Sequence, residues 1–211
     1  MKDSLIQEIQ TARSGETFAL DILDRQKLAE TVGTIPKAGA TVSLPDLILS
    51  DDLPAARPDP NLRSVVVVDK TKHQTHILQM NDGVVSDVLK VPDATGKGPR
   101  MTPEGRFHIT AKEKNPTWYP PPSIGGTPVG PGPRNPLGVA KIRTDAGAGL
   151  ILLHGTNRPD QIGTNASHGC IRHLNQDILK IYPLVQKGDA VYIVRNFGGT
   201  VVRKEDFLPR N

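Results

Sequence analysis

The chain has 211 residues, a single cysteine and only 4% aromatic residues, so one domain with an appendage is expected, its core must rest on Val, Ile and Leu, and no intrachain disulfide can form. The formal charge of +4 is uneven: residues 1–60 carry six Lys/Arg against ten Asp/Glu, a net −4, and the rest carries twenty against twelve, a net +8. That basic body lacks the dense Lys/Arg block with interleaved aromatics that would point to nucleic acid, and no stretch approaches the roughly 18 apolar residues of a membrane span.

The start, MKDSLIQEIQ, lacks the apolar run of a secretory leader, so the chain either stays inside the cell or begins after a removed leader. Leu5, Ile6 and Ile9 stand at helical spacing, and a second helix is expected over 20–31. Residues 39–45 loosely resemble the closing strand of a LysM wall-binding repeat, with a plain N-terminal cap as the competing reading. Pro54, Pro58 and Pro60 mark a linker that closes an appendage over 1–60. From Ser64 the pattern turns β, with strands expected over Ser64–Asp69, Gln74–Met80, Val84–Val91 and Gly105–Ala111. Asp82-Gly83 makes the turn of a hairpin, because both residues tolerate positive φ. Residues 115–136 hold eight prolines together with Trp118 and Tyr119. Such a segment is expected to be a long ordered loop or lid. Further strands are expected over Leu137–Ile142, Leu150–His154 and Ala190–Val194, with Asn175 capping a helix over Gln176–Val185. The fold class is therefore mainly β, a twisted β-sandwich or open barrel with one substantial helix. The domain spans 61–196 and a tail follows over 197–211.

The chemistry concentrates between His154 and Cys170. A thiol is a strong nucleophile only as thiolate, and an unperturbed cysteine has a pKa of about 8.5, so Cys170 needs a base or a cation nearby. On an extended strand His168 and Cys170 would share a face, and Gly169 between them permits close approach. His154 ends the apolar run LILLH where a strand gives way to a loop, a position that suits catalytic groups. Each histidine alone reads as structural; together with the sole cysteine they read as nucleophilic catalysis. Zinc held by His154, His168, Cys170 and His173 is the competing chemistry, although the four crowd one loop without a CxxC or HExxH frame. The basic body suits a carboxylate-rich polymer.

The segments HGT (His154–Thr156) and SHGCIR (Ser167–Arg172) resemble the signature of the L,D-transpeptidase catalytic-domain family. Thr102–Phe107 resembles that family's TPxGxF entry, Gly132–Gly138 its GPxNPLG segment, and Asn175 with Asp177 its N-x-D. The resemblance covers about residues 63–195, and it departs at His173, where related sequences usually carry an apolar residue. It implies a cysteine acyltransferase that forms 3→3 peptidoglycan cross-links, or attaches a protein to peptidoglycan, through a thioacyl intermediate. It further implies Cys170 as nucleophile, His154 as general acid/base, and Ser167 and His168 as a supporting polar shell. The backbone N–H groups of Gly169 and Cys170 would form the oxyanion hole, and Arg172 would order the site or face a substrate carboxylate. Thr156, Asn157, Trp118 and Tyr119 complete the substrate-binding candidates. Neither metal nor organic cofactor is expected. The implied partners are donor and acceptor stem peptides, an outer-membrane lipoprotein as another acceptor, and carbapenem-type inhibitors, in the cell envelope or periplasm. Water as acceptor would make the same site an L,D-carboxypeptidase. A zinc-dependent hydrolase and a non-catalytic wall-binding module are the readings from other classes.

Overall fold

Val65–Val68 are all fully buried. Because side chains alternate along a strand, such a run requires cover on both faces, and Ser64–Asp69 (β2) has it: Val66 and Val68 join one hydrophobic cluster, Val65 and Val67 another. The computed structural model describes residues 46–50, 52–98, 102–122 and 125–208; the helices expected within 1–31 and the LysM-like residues 39–45 lie outside them. In chain order the other strands are Asp46–Ile48 (β1), Gln74–Asn81 (β3), Val84–Pro92 (β4), Thr95–Gly96 (β5), Gly105–Lys114 (β6), Ala140–Thr144 (β7), Leu152–His154 (β8), Asn165–Ser167 (β9), Ile171–Arg172 (β10), Ala190–Val194 (β11) and Val201–Arg203 (β12). The helix Asn175–Ile181 is α1.

Eight strands form one curled sheet in the order β10-β8-β7-β6-β11-β2-β3-β4. The β10/β8 and β11/β2 pairs are parallel and the others antiparallel. The mainly β class holds. One face buries Ile77, Ile142, Leu153 and Ile171 beneath Ile178 and Ile181 of α1. The other buries Leu78, Phe197, Val202 and Phe207. The β3–β4 turn has φ of +50° at Asp82 and +80° at Gly83, the signs of a type I′ hairpin.

The differences from expectation have local causes. The strand expected from Leu137 begins at Ala140, because Asn135 Oδ1 accepts Leu137 N–H at 2.8 Å and turns the chain there. The helix stops at Ile181 rather than Val185, since Pro183 has no N–H to continue the ladder. Lys112 Nζ donates to the freed Tyr182 and Val185 carbonyls at 2.9 and 2.6 Å. On either side of the expected domain, β1 lies antiparallel to β12, and Asp206 accepts from Tyr192 Oη at 2.7 Å and pairs with Arg106.

Phe197 is 1% exposed and its ring lies 4.5 Å from that of His76. Phe197→Ala is expected to lower stability by about 3–5 kcal/mol, measured as a reduced urea midpoint. A loss below about 1 kcal/mol would place residues 197–207 outside the cooperative core.

Candidate active site

The short parallel pair β8/β10 builds the site. Its register sets Ile171 beside Leu153 and Arg172 beside His154. Ile171 and Leu153 point into the core, so alternation turns His154 and Arg172 to the opposite face. Cys170 precedes β10. Its Sγ donates to Leu150 O at 3.6 Å, against the backbone that leads into β8. Burial pushes the Cys170 thiol up, opposed by the Leu152 N–H and the Arg172 charge. The thiol is therefore protonated at neutral pH.

His154 is 4% exposed. Burial pushes its imidazole down to about 4, assisted by the nearby Arg172 charge and opposed by the bond to Gly155. Nδ1 lies 2.5 Å from Gly155 O. A carbonyl only accepts, so Nδ1 carries the proton and Nε2 keeps its lone pair. The thiol just before β10 and the imidazole in the paired strand β8 are thus both neutral, and the imidazole keeps a basic nitrogen free.

The segment before the thiol bends instead of extending. Gly169 has φ +130°, so the alternation expected to set His168 beside Cys170 is absent, and His168 is exposed. Ser167 Oγ accepts Gly169 N–H at 2.9 Å and donates to Cys170 O at 2.6 Å. Gly169 N–H is thereby engaged within the loop. Thr102, wholly buried, donates to Gly169 O and accepts from Gly96 N–H, both at 2.8 Å. The sequence marked Thr102 only as part of a motif; its role as a clamp on the thiol loop emerges from the fold.

Arg172 Nη1 donates to Gln161 Oε1 at 2.5 Å, which fixes the guanidinium beside His154. Thr156 is buried, and its Oγ1 accepts Arg158 N–H at 2.9 Å. Asn157 is exposed and donates to Arg134 O at 3.0 Å, joining this loop to the Pro-rich segment. Asn175 does not cap the helix: Leu174 is the N-cap residue. Its Oδ1 instead accepts Thr156 N–H at 3.1 Å and Val139 N–H at 3.3 Å. A Cβ on Gly138 or Gly155 would overlap that oxygen, so both glycines are required by close approach.

The described residues of the Pro-rich segment, 115–122 and 125–136, form no regular strand. Trp118 and Val129 exchange backbone bonds of 2.8 and 2.9 Å, and the buried Asn135 Nδ2 donates to the carbonyls of Pro116, Val129 and Gly130. Trp118 is half-buried and Tyr119 is 71% exposed.

His173, just after β10, is wholly buried. Its Nε2 lies 3.0 Å from Thr75 Oγ1. The described residues, His154, His168, Cys170 and His173 among them, contain no cluster of three or more His, Cys, Asp or Glu side chains suited to a metal. A separate shallow cleft of about 420 Å³, lined by Arg106, Tyr192, Arg195 and Thr200 among others, contains neither Cys170 nor His154.

The sequence profile of the YkuD family, described as the L,D-transpeptidase catalytic domain, matches residues 63–193. YqjB of Bacillus subtilis, named as an L,D-transpeptidase, is 36% identical over 131 residues, which cover 61% of this chain and 69% of that protein. YcfS of Escherichia coli, similarly named, is 29% identical over 172 residues, covering 76% of this chain; the match takes in 50% of that relative's length. The crystal structure of L,D-transpeptidase 3 from Mycobacterium tuberculosis aligns with a TM-score of 0.49 at 20% identity, over 63% of this chain and 61% of that one.

The buried imidazoles link stability to pH. His154, at about 4, and His173, pushed by burial to about 3, both lie below their unfolded value of 6.5. Each contributes stability that is complete above that value and is lost as pH falls through the native one. Asp93, pushed up to about 7 by burial from 3.8, works in the opposite sense and loses its contribution as pH rises through 7. His173→Leu is therefore expected to lose less stability than wild type between pH 7 and pH 4, measured as the change in urea midpoint. An equal loss would show that His173 does not stay neutral in the folded protein.

Proposed function

The chain belongs to the L,D-transpeptidase catalytic-domain family, and from that premise we propose that Cys170 is the acyl-accepting nucleophile of an enzyme that joins peptidoglycan stem peptides through 3→3 links. The observation that carries the reading is the β8/β10 pairing, which joins the strand that ends in His154 to the strand that Cys170 precedes; the thiol is raised by burial and the imidazole, lowered to about 4, keeps Nε2 free to accept. No metal or cofactor enters the reaction, and the substrate confines the activity to the cell envelope.

In the first step the Cys170 Sγ–H proton passes to His154 Nε2 as sulfur bonds to the carbonyl carbon of the third stem residue. The carbonyl electron pair moves to oxygen, where backbone N–H donors at the thiol loop hold it. Because Gly169 N–H is committed to Ser167, the Cys170 N–H is the donor proposed from this segment. Collapse of the tetrahedral adduct breaks the C–N bond to the terminal D-Ala, whose amine takes the proton from His154, and leaves a thioester. An acceptor amine then attacks, gives its proton to Nε2, and expels the thiolate, which recovers that proton. Arg172, held by Gln161, supplies fixed positive charge for a substrate carboxylate, and Trp118 on the Pro-rich loop supplies a wall of the groove.

Incubation of the purified protein with a tetrapeptide stem is expected to release D-Ala and to give a cross-linked dimer by mass spectrometry. Cys170→Ala should abolish both, and His154→Gln should slow them by about 10²–10⁴-fold. D-Ala release without dimer would reassign the acceptor to water, and normal turnover by Cys170→Ala would end the proposal.

A carbapenem should acylate Cys170 once per chain, since opening a strained lactam passes through the same kind of oxyanion. The mass adduct should be absent from Cys170→Ala and form more slowly in His154→Gln. A well-folded wild type that stays unmodified would show that thiol and oxyanion donors do not act together.

A further inference from the structure

Next to the candidate site lies a line of buried polar groups that the acyl-transfer steps do not use. Thr75 in β3, Asp93 just after β4 and His173 just after β10 are all 0% exposed. Thr75 Oγ1 donates to Asp93 Oδ2 at 2.7 Å, and His173 Nε2 lies 3.0 Å from the same hydroxyl. A hydroxyl has one proton to give. Once Thr75 donates to the carboxylate, its oxygen must accept from His173 Nε2–H, so both bonds run toward Asp93.

The backbone around these residues grips both ends of the site. Ala94 exchanges bonds with Arg172, Ala94 N–H to Arg172 O at 2.9 Å and Arg172 N–H to Ala94 O at 2.8 Å. His173 N–H donates to His154 O at 2.8 Å. Asp93 O accepts Gly163 N–H at 2.8 Å, in the loop whose Gln161 holds Arg172.

We propose that Asp93, Thr75 and His173 are positioning residues, a buried relay that holds the strand after Cys170 in register with His154 and makes the reactivity of the thiol respond to the charge on Asp93. A carboxylate accepts a stronger hydrogen bond than a neutral carboxyl, so ionisation of Asp93 tightens both bonds and the strand they anchor. Burial, aided by the charge of Asp69, raises the Asp93 carboxyl to about 7, against the bond from Thr75. The other groups facing the relay are His73, whose Nδ1 is 4.0 Å from Asp93 Oδ1, and His154, whose charge opposes protonation of His173. The buried Asp93 Oδ1 and His173 Nδ1 have no hydrogen-bond partner. The relay thus hangs on the Thr75 hydroxyl.

The test is the rate of Cys170 alkylation by iodoacetamide from pH 5.5 to 9 in the full chain, for wild type, Thr75→Val and Thr75→Ser. Wild type should show an inflection near neutrality on top of the rise with thiolate. Thr75→Val should lose that inflection and react about tenfold more slowly at pH 8, the worth of one net hydrogen bond, while Thr75→Ser keeps both features. A wild-type profile in Thr75→Val overturns the proposal, as does equal slowing of both variants at every pH. If Thr75→Val fails to fold, Asp93→Asn replaces it, and an inflection that persists there overturns the proposal equally. The relay rests on the β8/β10 register that carries His154 and follows Cys170, but not on the thiol's reacting with stem peptide. An inflected wild type that makes no transpeptidation product would refute the proposed function and leave the relay standing.

Discussion

The candidate site depends on a parallel pairing only two residues long. Ile171 beside Leu153 and Arg172 beside His154 put thiol, imidazole and guanidinium at one edge of the sheet. Two residues of parallel ladder supply few hydrogen bonds, and parallel pairing is slightly weaker per residue than antiparallel, so the register must be secured from outside. Ile171 does so by packing in the core, Ala94 by its two bonds to Arg172, and Thr102 by holding Gly169 O. Each clamp comes from a different stretch of chain. The precision of the site is therefore a property of the whole domain, not of the loop that carries the thiol.

The electrostatics follow from the same placement. A thiol set against the strand backbone and an imidazole at 4% exposure both lose solvation, and desolvation disfavours whichever form is charged. The thiol is pushed up and the imidazole down, so the pair rests uncharged, with Arg172 as the fixed cation beside it. The Gly155 carbonyl orders this state by selecting the tautomer with Nε2 free. Under the proposed function, such a thiol is activated when its proton moves during attack and is protected from indiscriminate reaction beforehand.

Asparagine side chains replace secondary structure around the rim. The Asn135 amide gathers three carbonyls of the Pro-rich loop, and Asn175 Oδ1 joins the Gly138–Val139 turn to the Gly155–Thr156 turn. Prolines lack N–H donors and cannot build a ladder, so their carbonyls need donors from elsewhere, and a buried asparagine provides two. The close approach at Asn175 leaves no room for a Cβ at Gly138 or Gly155, which is the physical content of those glycines in the sequence.

The sequence by itself determined what depends on neighbours along the chain. The Val-rich strand at Ser64–Asp69, the Asp82-Gly83 turn and the strand at Ala190–Val194 were readable because burial on both faces and positive φ leave marks in local composition. His154 and Cys170 stand out in the sequence as the proposed site because few residue types perform such chemistry, and in the fold the strand ending in His154 pairs with the one that Cys170 precedes. The tertiary structure alone decided what depends on partners distant in sequence. Strands of two or three residues, such as β5, β9, β10 and β12, have no periodicity to detect and exist through their pairing. The strand alternation expected at His168 gave way to a bend at Gly169, whose carbonyl is held by Thr102, 67 residues away. Asn175 carries the signature of a helix cap, yet its oxygen serves two amides from other loops. His173 looked like one more histidine near the thiol and is buried against Thr75, 98 residues away. A side chain's type states what it can bond; only the folded backbone states which groups come within reach.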